Sequence, residues 1–177
     1  DIEPLKSGWS FRLPILAEWQ QACRSGTSSA VWTGPLEIKG LNNAPALDPV
    51  CWYGGNCSVD YTGPGFPTAG WKERQFPGEI GGPHPVGSKT ANLWGIHDML
   101  GNVEEWVSSS AFTSHSFDFA WLRIDPSPVA DVIDGIVCGG SWARPARMQR
   151  AAAIYSCKPN YRGKDTGFRV VLAPSAH

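Results

Sequence analysis

Within the stretch Gly95-Ile96-His97-Asp98-Met99-Leu100-Gly101-Asn102-Val103-Glu104-Glu105-Trp106, acidic side chains lie on both sides of a glycine, and Trp94 and Trp106 bracket the acids. Gly101 predicts a tight turn, because glycine alone takes positive φ without steric cost. Such a turn brings the carboxylates of Asp98 and Glu105 toward one pocket, with the main-chain carbonyls of Gly101 and Val103 exposed between them. Oxygen ligands carrying two negative charges suit a hard divalent cation, and irregular backbone favours Ca2+ over the stricter octahedron of Mg2+. The same spacing fits a plainer arrangement, common in acidic loops, in which Asp98 bonds its own turn and Glu105 meets an arginine.

Other constellations carry less. His84, His97, His115 and His177 show no HxH or HxxxH spacing, and His97 reads as a packing or hydrogen-bonding residue. No nucleophile elbow or phosphate loop is present, and Ser141, although it follows two glycines, has the context of a structural strand. Five cysteines leave an odd count. Cys51 and Cys57 are near enough in sequence for a local disulfide, which Cα separation would decide.

The acidic turn needs elements to position it. Ile15 to Arg24 has apolar residues at helical spacing, Pro14 at its start and Gly26 past its end, which predicts a helix with Leu16, Trp19, Ala22 and Cys23 toward the core. Residues 1 to 10 read as an extended lead-in. Strands are expected at Val50–Tyr53, Asn102–Val107, Ile136–Trp142, Gln149–Ile154 and Gly167–Leu172. Asn56 to Pro85 is a long segment of weak periodicity, of the kind held by a metal or packed aromatics rather than by a ladder. Ser108 to Asp134 forms another connection, anchored by Phe112, Phe117, Phe119 and Trp121.

Composition bounds the class. At 177 residues the chain makes one domain with a real core, spanning 1–177. With 20 glycines, 15 prolines and 9 tryptophans against only 18% charged residues, it reads as a loop-rich α+β domain held by aromatic anchors. A formal net charge of -1 leaves no footprint for nucleic acid, and no apolar run approaches a membrane span. The compartment stays open, with an extracytoplasmic setting favoured.

These residues also carry a resemblance. "GIHDMLGNVEEW" resembles the "GLYDMxGNVWEW" signature of the formylglycine-generating enzyme and sulfatase-modifying-factor family, and "FRLPILAEWQQACRSGT" (Phe11–Thr27), "HPVG" (His84–Gly87), "GGSW" (Gly139–Trp142) and "GFRVV" (Gly167–Val171) follow the family's order. The resemblance implies a variant C-type lectin fold and a calcium site at Asp98, the carbonyls of Gly101 and Val103, and Glu105. Family enzymes oxidise a client cysteine to formylglycine with copper held by two cysteines after "GGS". The matching positions here are Arg144 and Gln149, neither a soft ligand for Cu(I), so the resemblance implies no copper and no such catalysis. A compensating pair from Cys138 and Cys157 is the alternative that would keep an oxidase.

What remains is a surface. Between Trp142 and Gly167, arginines and tyrosines of the kind that dominate binding hot spots stand among small residues: Trp142, Arg144, Arg147, Tyr155, Asn160 and Tyr161 are the candidate ligand-binding residues. In variable proteins of diversity-generating retroelements, which share the fold, the same region carries the diversified ligand contacts. The expected function is therefore a non-catalytic, calcium-stabilised domain that binds a protein or other ligand, with an oxidase or a structural subunit of a larger complex as alternatives. Family domains carry a β-rich portion before the "RLP" helix. Its absence here implies a missing amino-terminal half, cleaved or supplied by a second chain that covers an apolar face.

Overall fold

A computed structural model describes residues 7–108 and 135–175. The anchors Phe112, Phe117, Phe119 and Trp121, with His115 and His177, lie outside them.

The helix forms where its periodicity places it. α1 (Leu16–Arg24) buries Leu16, Trp19 and Cys23 and packs Ala22 against the same core. Its first turn is capped by Glu18, whose Oε2 accepts the Ile15 N–H at 2.9 Å while Arg12 grips the same carboxylate at 2.7 and 2.8 Å. It ends at Ser25, which turns left-handed (φ 46°) and donates its N–H to the Gln21 carbonyl.

The strands depart from expectation in instructive ways. The end of the lead-in, Trp9 and Ser10, joins Phe11 and Arg12 in β1 (Trp9–Arg12). Short β2 (Phe66–Pro67) and β3 (Ile80–Gly81) pair antiparallel inside the long irregular segment. The expected strand at Asn102–Val107 is β4 (Glu104–Val107), and β5 (Ile136–Cys138) stops early because Gly139 and Gly140 both take positive φ, 92° and 70°. Gln149–Ile154 is not a strand: a 3-10 turn at Ala146–Met148 delays β6 to Ile154–Ser156. Val50–Tyr53 is buried but irregular, its main chain bonded to loops, with Tyr53 N–H on Asn56 Oδ1 at 2.8 Å and the Trp52 carbonyl accepting Asn102 N–H at 2.8 Å.

The single strand expected at Gly167–Leu172 is two. β7 (Thr166–Phe168) runs parallel to β4, whereas β8 (Val171–Pro174) pairs antiparallel with β1. Arg169 lies at the joint, where the chain leaves one sheet for the other.

The larger sheet has the order β6-β5-β4-β7. Its register places Gly167, Glu105, Cys138 and Ile154 in one row and Phe168, Trp106, Val137 and Tyr155 in the next. Successive residues of a strand point to opposite faces, so the rows define two layers. The first faces the main core of Leu16, Trp19, Cys23, Met99 and Leu100; the second faces a smaller cluster of Val137, Ala153 and Tyr155, joined by Trp106, Met148 and Cys157. Away from the larger sheet, stacked aromatics hold the loops: Phe66 and Trp71 lie 5.4 and 6.0 Å from the Trp142 ring.

All five cysteines are free thiols, Cys51 and Cys57 included, so no disulfide joins that pair. No described helix is long and apolar enough to cross a membrane.

Candidate functional site

The acidic turn enters β4 through a run of left-handed residues, Asp98 (φ 55°), Gly101 (φ 69°) and Asn102 (φ 59°). Gly101 is required there, since a Cβ would collide with the Trp52 carbonyl oxygen. Its N–H donates to the Gly139 carbonyl at 2.9 Å, tying the turn to the glycine pair after β5. Asn102 clasps the "HPVG" segment reciprocally: Oδ1 accepts His84 N–H at 2.9 Å and Nδ2 donates to the His84 carbonyl at 3.0 Å. At the far end of that segment, Gly87 N–H donates to Asp98 Oδ2 at 2.6 Å.

Glu105 meets an arginine, as the plainer reading of the spacing allows. Its Oε2 accepts Trp19 Nε1–H at 2.7 Å and Arg169 Nε–H at 2.6 Å, and its Oε1 accepts Arg169 Nη2–H at 2.7 Å. The same Nη2 donates to the carbonyls of His97 and Asp98 at 3.2 and 3.1 Å. Asp98 bonds Gly87 rather than its own turn, and its Oδ1 is buried with no hydrogen-bond partner. That orphaned oxygen is the atom a cation would satisfy. Arg169 leaves the pocket with a net single negative charge instead of two, so the donors fit Ca2+ in kind while offering it a weaker field. Among the described residues, no group of three or more His, Cys, Asp or Glu side chains is arranged to hold a metal ion. A cation here would therefore rely on main-chain oxygen from Gly101 and Val103.

A second polar group lies on the opposite layer. Arg144 Nε is 2.7 Å from Glu104 Oε1, and Nη2 is 3.1 Å from Oε2, a two-point fork on a carboxylate that is 1% exposed. Burial pushes the Glu104 carboxyl up and the Arg144 fork opposes it. Ser141 Oγ–H donates to Asp165 Oδ2 at 2.9 Å. Gln149 is wholly buried, donating from Nε2 to the carbonyls of Ser141 and Arg144 at 3.1 and 3.4 Å.

The candidate ligand residues divide by depth. Trp142 (0% exposed) and Tyr155 (8%) are interior, a correction to their reading as surface contacts: Trp142 lies in the Phe66–Trp71 stack, and Tyr155 stands in the second-layer row of the sheet. They can shape a ligand surface only from beneath. Arg144 is committed to Glu104, whereas Arg147, Asn160 and Tyr161 are exposed. Asn160 and Tyr161 line an open groove whose other walls include Trp106, Arg162, Thr166 and Phe168. Sequence reasoning did not place Trp106 or Phe168 there. The signal was the alternation of β4, where Glu105 and Val107 face the core and Trp106 must face the other way.

Residues 5–174 match the sulfatase-modifying factor enzyme 1-like domain. The chain belongs to this family. Among curated relatives of the domain, Chaperone protein LppX of Paenibacillus barcinonensis is 30% identical over 161 residues, covering 91% of this chain and 49% of its own length. The formylglycine-generating enzyme of Mycobacterium tuberculosis is 34% identical over 119 residues, covering 67% of this chain and 31% of its own. The chain thus spans about a third to a half of these relatives. Among solved structures, Treponema denticola variable protein 1 aligns with a TM-score of 0.56 at 24% identity, covering 93% of this chain and 48% of that one. PvdO from Pseudomonas aeruginosa aligns at 0.60 and 23%, covering 93% and 53%. The fold is accordingly the loop-rich α+β, variant C-type lectin fold of the sulfatase-modifying-factor family.

Set against the family signature, the second polar group has a simple description. Glu104 occupies the place of a tryptophan in "GNVWEW", Arg144 the place of the first catalytic cysteine, and the two departures are bonded to each other. Gln149, at the second cysteine position, fills buried space beside them. Cys138 and Cys157 do not converge on the spot. Cys138 stands opposite Ile154 in the main-core row, while Cys157 donates its N–H to Gly135 and packs with the second-layer cluster. An odd register offset puts them on opposite faces of the sheet.

Proposed function

We propose that this sulfatase-modifying-factor domain is a non-catalytic binding module, which takes a protein or other ligand on the exposed part of the Trp142–Tyr161 face and is steadied at its acidic turn by Ca2+. The observation that carries the reading is the Arg144–Glu104 fork. Copper(I) demands soft sulfur ligands, and the family's two ligand positions hold a guanidinium paired at 2.7 Å and a buried amide. The remaining thiols are poorly suited to replace them, since burial pushes Cys23 up to about 12 and Cys157 up to about 11. A relative named as a chaperone and a structural neighbour named as a variable protein support binding over turnover.

In this reading Ca2+ would draw on Asp98 Oδ1 and the carbonyls of Gly101 and Val103, with Glu105 shared between the ion and Arg169. A second chain or further segment would dock on the β1–β8 ribbon, whose cross-strand pair Phe11 and Leu172 is 59% and 45% exposed, with Trp9 at 37% on the same face.

The test is an assay of a cysteine-bearing client peptide with added copper under air, read by mass spectrometry for conversion of the thiol to an aldehyde. No conversion is expected. Turnover above the copper-only background would overturn the proposal in favour of an oxidase with altered ligation, a reading that the formylglycine-generating enzymes among the relatives keep in view.

A further inference from the structure

The groove beside β7 combines features that specify a ligand class. Lys158 directly precedes its lining segment 159–163, Arg162 lies within it, and both are exposed; Lys164, at the other end, holds its ammonium 3.5 Å from the Phe66 ring instead. The only acid between Trp142 and Gly167, Asp165, is buried and accepts Ser141 Oγ–H. In a chain of net charge -1, this rim is a local concentration of positive charge with no exposed counter-charge of its own segment.

The floor is apolar and aromatic. Trp106 and Phe168 are partners in the parallel register of β4 and β7, and Phe168 is 68% exposed.

The edge supplies directional groups. β7 is the last strand of the order β6-β5-β4-β7 among the described residues. The Asp165 carbonyl accepts Glu104 N–H at 2.7 Å, so strand alternation turns the main-chain groups of Asp165 and Gly167 toward β4 and those of Thr166 and Phe168 outward. Thr166 N–H is taken locally by the Gly163 carbonyl. The Thr166 carbonyl and the Phe168 N–H remain as an acceptor and a donor on the open edge, the arrangement that another main chain completes.

We propose that this groove takes an extended, acidic polypeptide segment that adds as a strand to the edge of β7, its carboxylates meeting Lys158 and Arg162 and an apolar side chain resting on Trp106 and Phe168. The proposal rests on the binding reading above and names its ligand class. A single-stranded nucleic acid would use the same cations and rings but offers no main-chain partner for the edge, so the strand edge decides for peptide.

Fluorescence anisotropy tests it with labelled peptides in which a Leu or Tyr alternates with Glu, with Gln or with Lys, and with an oligothymidylate. The Glu peptide is expected to bind best, with affinity that falls as salt rises. The double variant Lys158→Glu/Arg162→Glu should weaken it by about tenfold or more. Phe168→Pro should lose more than Phe168→Ala, because it removes the edge N–H as well as the ring; far-UV circular dichroism confirms that both are folded. Equal binding of the Gln peptide, equal loss in the two Phe168 variants, tighter binding of the oligothymidylate, or no binding of any peptide would each overturn it. Copper-dependent turnover on the same preparation would instead sink the parent reading, so the two failures are distinguishable.

Discussion

Arg144 and Glu104 are held face to face by two hydrogen bonds across a sequence separation of 40 residues, with Glu104 almost wholly inside and Arg144 28% exposed. Each residue alone would be out of place: a lone buried carboxylate is expensive, and a lone guanidinium at that depth likewise. Together they form a fixed ion pair across two positions at which the chain departs from the family signature. The identities at 104 and 144 are therefore coupled.

That coupling predicts a non-additive stability cycle. Arg144→Ala should destabilise the fold by about 3 kcal/mol, since it strands the Glu104 charge, and Glu104→Gln should cost less because a neutral amide remains. Arg144→Ala combined with Glu104→Gln should recover much of the Arg144→Ala loss. Guanidinium unfolding of the single and double variants measures the cycle; additive losses would mean that the pair is not an energetic unit.

The acidic turn predicts a calcium-dependent melting temperature. If the weak-field site binds with a dissociation constant in the roughly 0.1–1 mM range of low-affinity modules, millimolar Ca2+ raises the melting temperature by about 4 °C. A chelator should reverse the rise, and Asp98→Ala, which removes the buried orphan oxygen, should abolish it. A melting temperature indifferent to Ca2+ in the unmodified protein would leave the turn as an Arg169–Glu105 structure only.

His84 predicts a loss of stability on the acid side. Its ring lies 3.5 Å from that of Trp52 and nearly parallel to it, at 5°, with Nε2–H directed to the Cys57 carbonyl at 3.0 Å. Desolvation, with nearby Lys89, holds its pKa below the ordinary 6.5. The unfolded chain then binds the proton more readily, so this contribution is complete above pH ~6.5 and is lost as pH falls through the depressed folded value. Thermal melts between pH 7.5 and 5 should show the decline, and His84→Phe, which keeps the stack, should flatten it. An unchanged slope in that variant would assign the decline to other groups.

The thiols predict slow chemistry in the native state. Cys23, Cys51, Cys57 and Cys138 are buried, and burial raises the pKa of each. At pH 8 a disulfide reagent should label Cys157 first and slowly, the others only after denaturation. Rapid labelling of two thiols in the folded protein would point to an accessible pair and weaken the non-catalytic reading.

What the chain alone determined was local. Helical spacing marked α1 because Leu16, Trp19 and Cys23 recur on one face, and the capping carboxylate of Glu18 is within a turn of its target. Glycine marked the turn at Gly101, since positive φ is written in a single residue. Ordered motifs carried the family and hence the fold.

What the tertiary structure decided was every relation that depends on a distant partner. The stretch Gly167–Leu172 looks like one strand by composition, yet β7 and β8 separate because their partners, β4 and β1, belong to different sheets. Trp142 reads as a hot-spot residue by type and is interior because Phe66 and Trp71 arrive over it from a segment far back in the chain. Glu105 was legible as a carboxylate near a turn, but not that Arg169 and Trp19 would claim its oxygens. Residue type and spacing fix what a side chain can do; which charge or ring reaches it first is settled by packing, through contacts that no local pattern encodes.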